Sequence, residues 1–386
     1  MFSSLLLVVL AGLLGPLLAA GRRPRVPVLV GELAGGAILG RTGFHLVDPS
    51  GQPLVAFSTL GFAMLMLQAG TEVDLASPQL RRGARRGLAA FVLTLVLSIP
   101  AGLAIGSAIG SRHALLFVVL LAGGSAAVAF PTIVEQRLTD SAAVTMVIAW
   151  ITLADAVTAL VMPLTIVGAA KIPAALFGDL LIVLATVAII VGGRRLLRSS
   201  IADEAERESK QRRWALRLRL SVLMLLALGT ISERTGASLL IAGFAAGIVL
   251  REFRQPHRLQ LELTGLASGF FVPVFFVLLG ATLDLSGLIH TPAAIGLALA
   301  MATAATLVHL VASIVAGRQA RLASGLLASA QLGLPAAAAA LGLVSGALTP
   351  PIAAALVAGG LLTLIPATAG AILLRRGEVA TPDRPV

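Results

Sequence analysis

Thirteen apolar segments, set apart by short polar connections, decide most of what this chain can fold into. They run over residues 2–20, 26–40, 53–70, 87–110, 113–137, 141–168, 174–193, 214–231, 236–250, 264–283, 292–317, 320–343 and 350–374. Most match the roughly 20 residues that an α-helix needs to span a bilayer, whereas 26–40 and 236–250 are short for a span. Inside hydrocarbon every backbone N–H and C=O must be satisfied within the protein, which makes the helix the natural spanning form of such runs. Only 12% of the 386 residues are charged and 58% are hydrophobic; soluble domains carry about 25% charged residues. An ordinary soluble enzyme and a disordered chain are excluded. The expected fold is an all-α polytopic membrane protein with 13 transmembrane helices.

The basic residues add an orientation. With the N-terminus outside, the inward connections hold 25 Lys and Arg and the outward ones hold 4, namely Arg41, Arg112, Lys171 and Arg234. Such a split follows the positive-inside rule and predicts an N-out, C-in topology. The net charge of +11 is then read as cytoplasmic anchoring, with no nucleic-acid partner. Segment 2–20 ends Leu18-Ala19-Ala20 like a signal peptide, but its Arg cluster follows the apolar run, so a retained helix is expected. The mixed-sign stretch 194–213 reads as a cytoplasmic linker. With no Cys, disulfides, thiol catalysis and zinc–thiolate sites are excluded, and the five His residues form no metal-binding pattern.

The chain also resembles itself. Residues 31–39 resemble 242–250 at an offset of 211, and 66–75 resemble 276–285 at an offset of 210. Gly123-Gly124-Ser125 falls on Gly333-Leu334-Pro335, again at 210. That offset covers seven helices, an odd number, so two copies would face opposite ways across the membrane. The expected organisation is a first inverted repeat over 1–168, a linking helix and linker over 169–213, a second repeat over 214–374, and a short cytoplasmic tail over 375–386. Inverted repeats are an architecture of secondary transporters.

The matched interruptions point to a site. Irregular backbone at membrane depth is tolerated only beside protein or a cavity, and paired breaks in two halves mark midplane binding sites. Close helix packing by Gly and Pro is the alternative explanation. Asp155 lies fifteenth of the 28 residues in segment 141–168, near the bilayer centre. An intramembrane carboxylate costs on the order of 3 kcal/mol or more on insertion. Pairing to another helix would explain it structurally. Its functional reading is a site where a proton and a monovalent cation compete, with Ser125 and the freed carbonyls around 123–132 as further ligands. His309, in the middle of segment 292–317, is either a packing histidine or a partner of Asp155 in the cation-free state, which would make exchange pH-sensitive. Glu32 reads as structural or at an interface, with a functional role as the alternative, and Glu72, Asp74, Glu135, Glu262 and Asp284 read as solvated or capping.

Several stretches resemble one family. Val30 through Gly40, Leu67 through Leu75, Val272 through Gly280 and His309 through Arg318 resemble, in order and spacing, the monovalent cation:proton antiporters of the bacterial sodium/proton and potassium/proton exchanger type. The resemblance covers about residues 5–374. It implies two bundles, one that dimerises and one that carries the ion, in the cell inner (plasma) membrane, with no cofactor beyond the transported Na+ or K+ and H+. Asp155 matches the essential second acid of the family pair, while Ala154 takes the place of the first. Gly124 replaces the Thr of a Thr-Ser pair and Ser125 remains. His309 stands where Lys or Arg is usual, and Leu332-Gly333-Leu334 where many relatives carry Arg-Gly-Glu. One carboxylate implies electroneutral exchange, one proton per cation, unless His309 also releases a proton. Potassium-efflux relatives carry a soluble nucleotide-binding domain; about 12 residues follow the last segment here, and such control is not expected.

The expected function is therefore secondary antiport of Na+ or K+ against protons by alternating access in a homodimer, with no enzymatic activity. Two alternatives stay open. A sodium-coupled organic-anion carrier on a similar scaffold would need more polar groups at the breaks. A non-transporting membrane sensor is the other.

Overall fold

The computed structural model describes residues 2–20, 28–72, 78–135, 141–166, 172–196, 214–235, 237–253, 257–318 and 320–380, with 138, 204, 207, 208 and 212 besides. Arg22, Arg23, Arg25, Arg137, Lys171 and much of the 194–213 linker lie outside the described residues. Every regular element described is helical. Nine helical stretches among the described residues are long and apolar enough to cross a membrane.

Within the described residues, each of the thirteen apolar segments falls largely on helix. The first is split at Leu13 into α1 (Phe2–Gly12) and α2 (Leu14–Ala19), where Pro16 has no N–H to donate to the Gly12 carbonyl. Next come α3 (Val28–Leu39), α4 (Gln52–Glu72) and α5 (Pro78–Ala108). Segment 113–137 divides into α6 (Ala114–Ala122) and α7 (Ala126–Glu135), followed by α8 (Ala142–Ile166), α9 (Ile172–Leu196), α10 (Leu216–Thr235) and α11 (Leu239–Glu252). The tenth segment starts earlier than its hydropathy suggests: α12 (His257–Leu266) runs through a π-helical turn, Ala267–Phe271, into α13 (Val272–Thr282). After α14 (Leu285–His290) come α15 (Pro292–Ala312), α16 (Arg321–Ala328), α17 (Gly333–Val344), α18 (Pro350–Leu362) and α19 (Leu364–Ala380).

The break in segment 320–343 is displaced from its expected place. It occupies Ser329–Leu332, and Gly333-Leu334-Pro335 forms the first turn of α17. Proline is tolerated there because first-turn N–H groups have no helical acceptor in any case. The Gly-Leu-Pro triplet is thus a helix start.

The chain forms two compact units that do not follow chain order. One comprises Met1–Val73 with Gly168–Thr282, the other Asp74–Val167 with Leu283–Val386. In the first unit, α3 crosses α13 and α4 crosses α11 at backbone contact. A Cβ built on Gly36 would lie 1.9 Å from the Val277 carbonyl oxygen, and one on Gly280 would lie 2.2 Å from that of Leu33. The α4–α11 crossing has the same form: Gly247 would meet the Leu67 oxygen at 2.2 Å and Gly70 the Phe244 oxygen at 2.1 Å. Position by position, 36, 277, 280 and 33 correspond to 247, 67, 70 and 244 at offsets of 211 or 210. Near the second crossing, Gln68 Nε2 donates to Ser268 Oγ of the π turn at 2.8 Å.

In the second unit, α5 lies along α8. Gly83 and Gly87 leave room only for the α8 backbone at Thr145 and Ala149–Trp150. Phe91, Val147, Trp150, Ile151 and Leu327 form the buried core beside it. Burying such side chains holds this unit together, each contributing roughly 1.5–3 kcal/mol in water and, in lipid, chiefly through close packing.

Candidate functional site

The site lies wholly in the second unit. Gly123-Gly124-Ser125 are poor helix formers in sequence, and Gly123 leaves the helix with φ −68° and ψ 162°. The chain is helical again from Ala126, where the Ser125 carbonyl accepts from Val128 and Ala129. The first N–H groups of a helix have no partner within it. One of them is used here: Ala126 N–H donates to Asp155 Oδ2 at 3.2 Å. Asp155 is half-buried in the middle of α8. Ser125, 2% exposed, directly precedes the donating residue. Asp155 and Ser125 are thus brought to one place, at the positive end of a helix.

One turn along α8, Thr158 Oγ1 donates to the Ala154 carbonyl at 2.6 Å. A Cβ on Gly123 would lie 3.6 Å from that hydroxyl oxygen and 2.7 Å from Leu334 Cδ2 of α17. The two breaks therefore cross. Gln331, in the second break, spans the crossing: its Nε2 donates to the carbonyls of Leu121 and Gly123, each at 3.3 Å. The oxygens this stretch offers beside the Asp155 carboxylate are the Ser125 hydroxyl and the carbonyls of 123–125, of which Gly123 accepts from Gln331 and Ser125 from Val128 and Ala129. These are hard ligands suited to an alkali cation, and among the described residues no His, Asp or Glu cluster offers a transition-metal set.

His309 is placed differently. It is fully buried on α15, and its Nδ1–H donates to the Ala305 carbonyl at 2.8 Å, which fixes the tautomer. Its ring stacks on Trp150 of α8, with centroids 5.3 Å apart and 20° between planes. Among the described residues Nε2 forms no hydrogen bond, although the Gly123 carbonyl lies towards the ring. No hydrogen bond or ion pair joins His309 to Asp155 among the described residues. The histidine adjoins the first break and not the carboxylate itself.

Of the other acids, Glu32 is buried in the first unit, with its Cγ 2.8 Å from where a Gly15 Cβ would stand. Asp284 caps α14, accepting from Gly287 N–H at 2.6 Å. Asp74 and the side chains of Glu72 and Glu135 lie outside the described residues. Three residues of the site were not singled out from sequence: Trp150, Thr158 and Gln331. A lone amide or an indole in an apolar run carries no charge to draw notice.

Comparison with known proteins agrees with this architecture. The family described as "Sodium/hydrogen exchanger, transmembrane" matches residues 6–375. YjbQ of Bacillus subtilis is 25% identical over 304 residues, 73% of this chain and 48% of that protein. NhaS5, a Na(+)/H(+) antiporter of Synechocystis sp., is 27% identical over 299 residues, 75% of this chain and 40% of that one. The chain spans about half the length of the first of these and less of the second. Among solved structures, the sodium proton antiporter MjNhaP1 from Methanocaldococcus jannaschii superposes with a TM-score of 0.63 at 18% identity, covering 99% of this chain and 98% of that one.

Proposed function

The chain belongs to the sodium/hydrogen exchanger family, and on that premise we propose that it is a secondary antiporter exchanging Na+ or K+ for protons across the plasma membrane. One observation carries the reading: a lone carboxylate, Asp155, meets the start of a helix broken in mid-segment. Such a carboxylate binds a proton or a bare cation but not both. The cation needs further oxygens, which Ser125 and the carbonyls of 123–125 supply. Loading one ion expels the other, and exchange follows when the loaded site faces each side in turn.

The stoichiometry we propose is one proton per cation. Ala154 leaves a single acid, so each cycle moves no net charge. His309 stacks on Trp150 and donates to the Ala305 carbonyl, with no hydrogen bond or ion pair to Asp155 among the described residues, so this stoichiometry counts no proton from it. The inverted-repeat reading, with 13 spans, an N-out/C-in orientation and repeats over 1–168 and 214–374, draws support from the two glycine crossings related by 210–211 residues. A homodimer is proposed from the resemblance alone.

The test uses purified protein in liposomes with an internal pH dye. Gradients of Na+, K+ or Li+ are imposed with the potential clamped. Cation-driven proton movement that disappears in Asp155→Asn is expected, with rates that do not change when the clamp is released. If none of the three cations moves protons, antiport is wrong, and sodium-dependent uptake of organic anions becomes the assay to run.

A further inference from the structure

We infer that Gln331 is a positioning residue: by tying the first helix break to the second it sets the cation affinity and preference of the Asp155 site. The inference rests on the antiport reading and deepens it. Gln331 is 2% exposed, and its amide nitrogen has two hydrogens, enough for Leu121 O and Gly123 O together. These carbonyls close the C-terminal end of α6, where helical acceptors lack intrahelical donors. Left unpaired in a buried place they would destabilise the break.

The residue is also gripped from behind. Its backbone N–H donates to Thr363 Oγ1 at 2.9 Å, and that hydroxyl donates to the Gly360 carbonyl at 2.6 Å. Gly360 fits because it has no side chain; a Cβ there would stand 3.0 Å from both the Gln331 oxygen and Pro335 Cγ. The chain of contacts therefore runs from the α18–α19 junction through Gln331 to the first break.

The clamp is one-sided: Gln331 of the second break donates to both carbonyls at the first.

The consequence for the ion follows from short covalent reach. Only Gly124 and Ser125 separate the clamped Gly123 carbonyl from Ala126, whose N–H holds Asp155. Planar peptides transmit a rotation at Gly123 directly to the Ser125 and Ala126 groups. Selection between cations of similar chemistry depends on cavity size, ligand number and rigidity. Releasing the clamp loosens all three.

Gln331→Met keeps the length of the side chain and removes its donors. In the liposome assay the apparent KM for the preferred cation is expected to rise about tenfold, with Vmax within about twofold and the Na+, K+ and Li+ responses drawn closer together. Thr363→Val should act in the same direction and add little to Gln331→Met. Hydrogen–deuterium exchange of peptides covering 120–128 should quicken in both variants, whatever the transport result. A folded Gln331→Met with unchanged KM and ion preference overturns the inference. Native protein that moves no protons sinks antiport instead, and unchanged exchange at 120–128 then sinks the clamp separately. If Gln331→Met fails to fold, Thr363→Val is read by the same two measurements and with the same outcomes.

Discussion

Gly124 and Ala154 face one another across the first helix break: a Cβ built on Gly124 would lie 3.5 Å from that of Ala154 and 3.3 Å from Ile151 Cγ2. Ala154 is 1% exposed. Both are small where the exchangers this chain resembles carry a threonine and a first acid, and each leaves little room for the other to grow. Restoring the acid alone is therefore expected to damage the site, not to add a second proton. Ala154→Asp brings overpacking of about 1–3 kcal/mol besides an unpaired buried carboxyl. Its unfolding temperature in detergent should fall by several degrees and transport should be lost, while Gly124→Ala, at near-ordinary contact distance, keeps most activity. A stable, voltage-driven Ala154→Asp protein would show that the break has space after all.

Competition at Asp155 has a definite sign with pH. Acidification fills the carboxylate with protons and displaces the cation, so the apparent cation KM rises as pH falls, approaching about tenfold per unit once the proton dominates. Vmax at saturating cation should hold. Initial rates of dye quenching, measured as full cation titrations at several pH values, distinguish this from a pH effect on turnover. A constant KM with falling Vmax would place proton and cation on different groups. Asp155→Glu moves the oxygens by a methylene and breaks the Ala126 contact, so its KM should rise even where the proton is not competing.

How much of this was readable from sequence differs by element. The apolar segments were legible because lipid demands the same composition along a whole span, and Asp155 because a charge in such a run stands out. Gly123-Gly124-Ser125 was found because three weak helix formers adjoin. The second break was misplaced by about four residues, since Gly333 and Pro335 were read as an interruption when they open a helix. Gln331 and Trp150 escaped notice for a different reason: their roles depend on partners 210 and 159 positions away, which local composition does not encode. Likewise, His309 could be placed at midspan from sequence, but its stacking on Trp150 could not.

That stack yields a prediction about charge. Among the described residues, buried His309 Nε2 and Trp150 Nε1 make no hydrogen bond, and each such group costs about 1–3 kcal/mol. His309→Phe keeps a ring against Trp150 and removes one of them. The variant should fold at least as stably as the native protein and continue to exchange one cation per proton. One net charge per cycle is worth about 2.3 kcal/mol per 100 mV, so its presence is easily seen. Liposome flux measured at several imposed potentials should show no voltage dependence in either protein. Voltage dependence in the native protein that vanishes in His309→Phe would assign a counted proton to the histidine.

The glycine crossings predict stability in matched pairs. At Gly280 an added methyl would sit 2.2 Å from the Leu33 carbonyl oxygen, and at Gly70 it would sit 2.1 Å from that of Phe244. Neither neighbour is a flexible side-chain end; backbone must part for the methyl to enter. Gly280→Ala and Gly70→Ala should each destabilise by about 1–3 kcal/mol or more, and by similar amounts because the contacts are equivalent at an offset of 210 residues. Gly265, in the same apolar region, has no atom within 4 Å of its would-be Cβ. There alanine removes only glycine's helical penalty of about 0.5–1 kcal/mol, so Gly265→Ala should be neutral or stabilising. Thermal unfolding of the three variants in one detergent is the comparison to make. Equal stability of Gly280→Ala and Gly265→Ala would mean that α3 and α13 do not approach this closely, and a large difference between Gly280→Ala and Gly70→Ala would count against the equivalence of the two crossings.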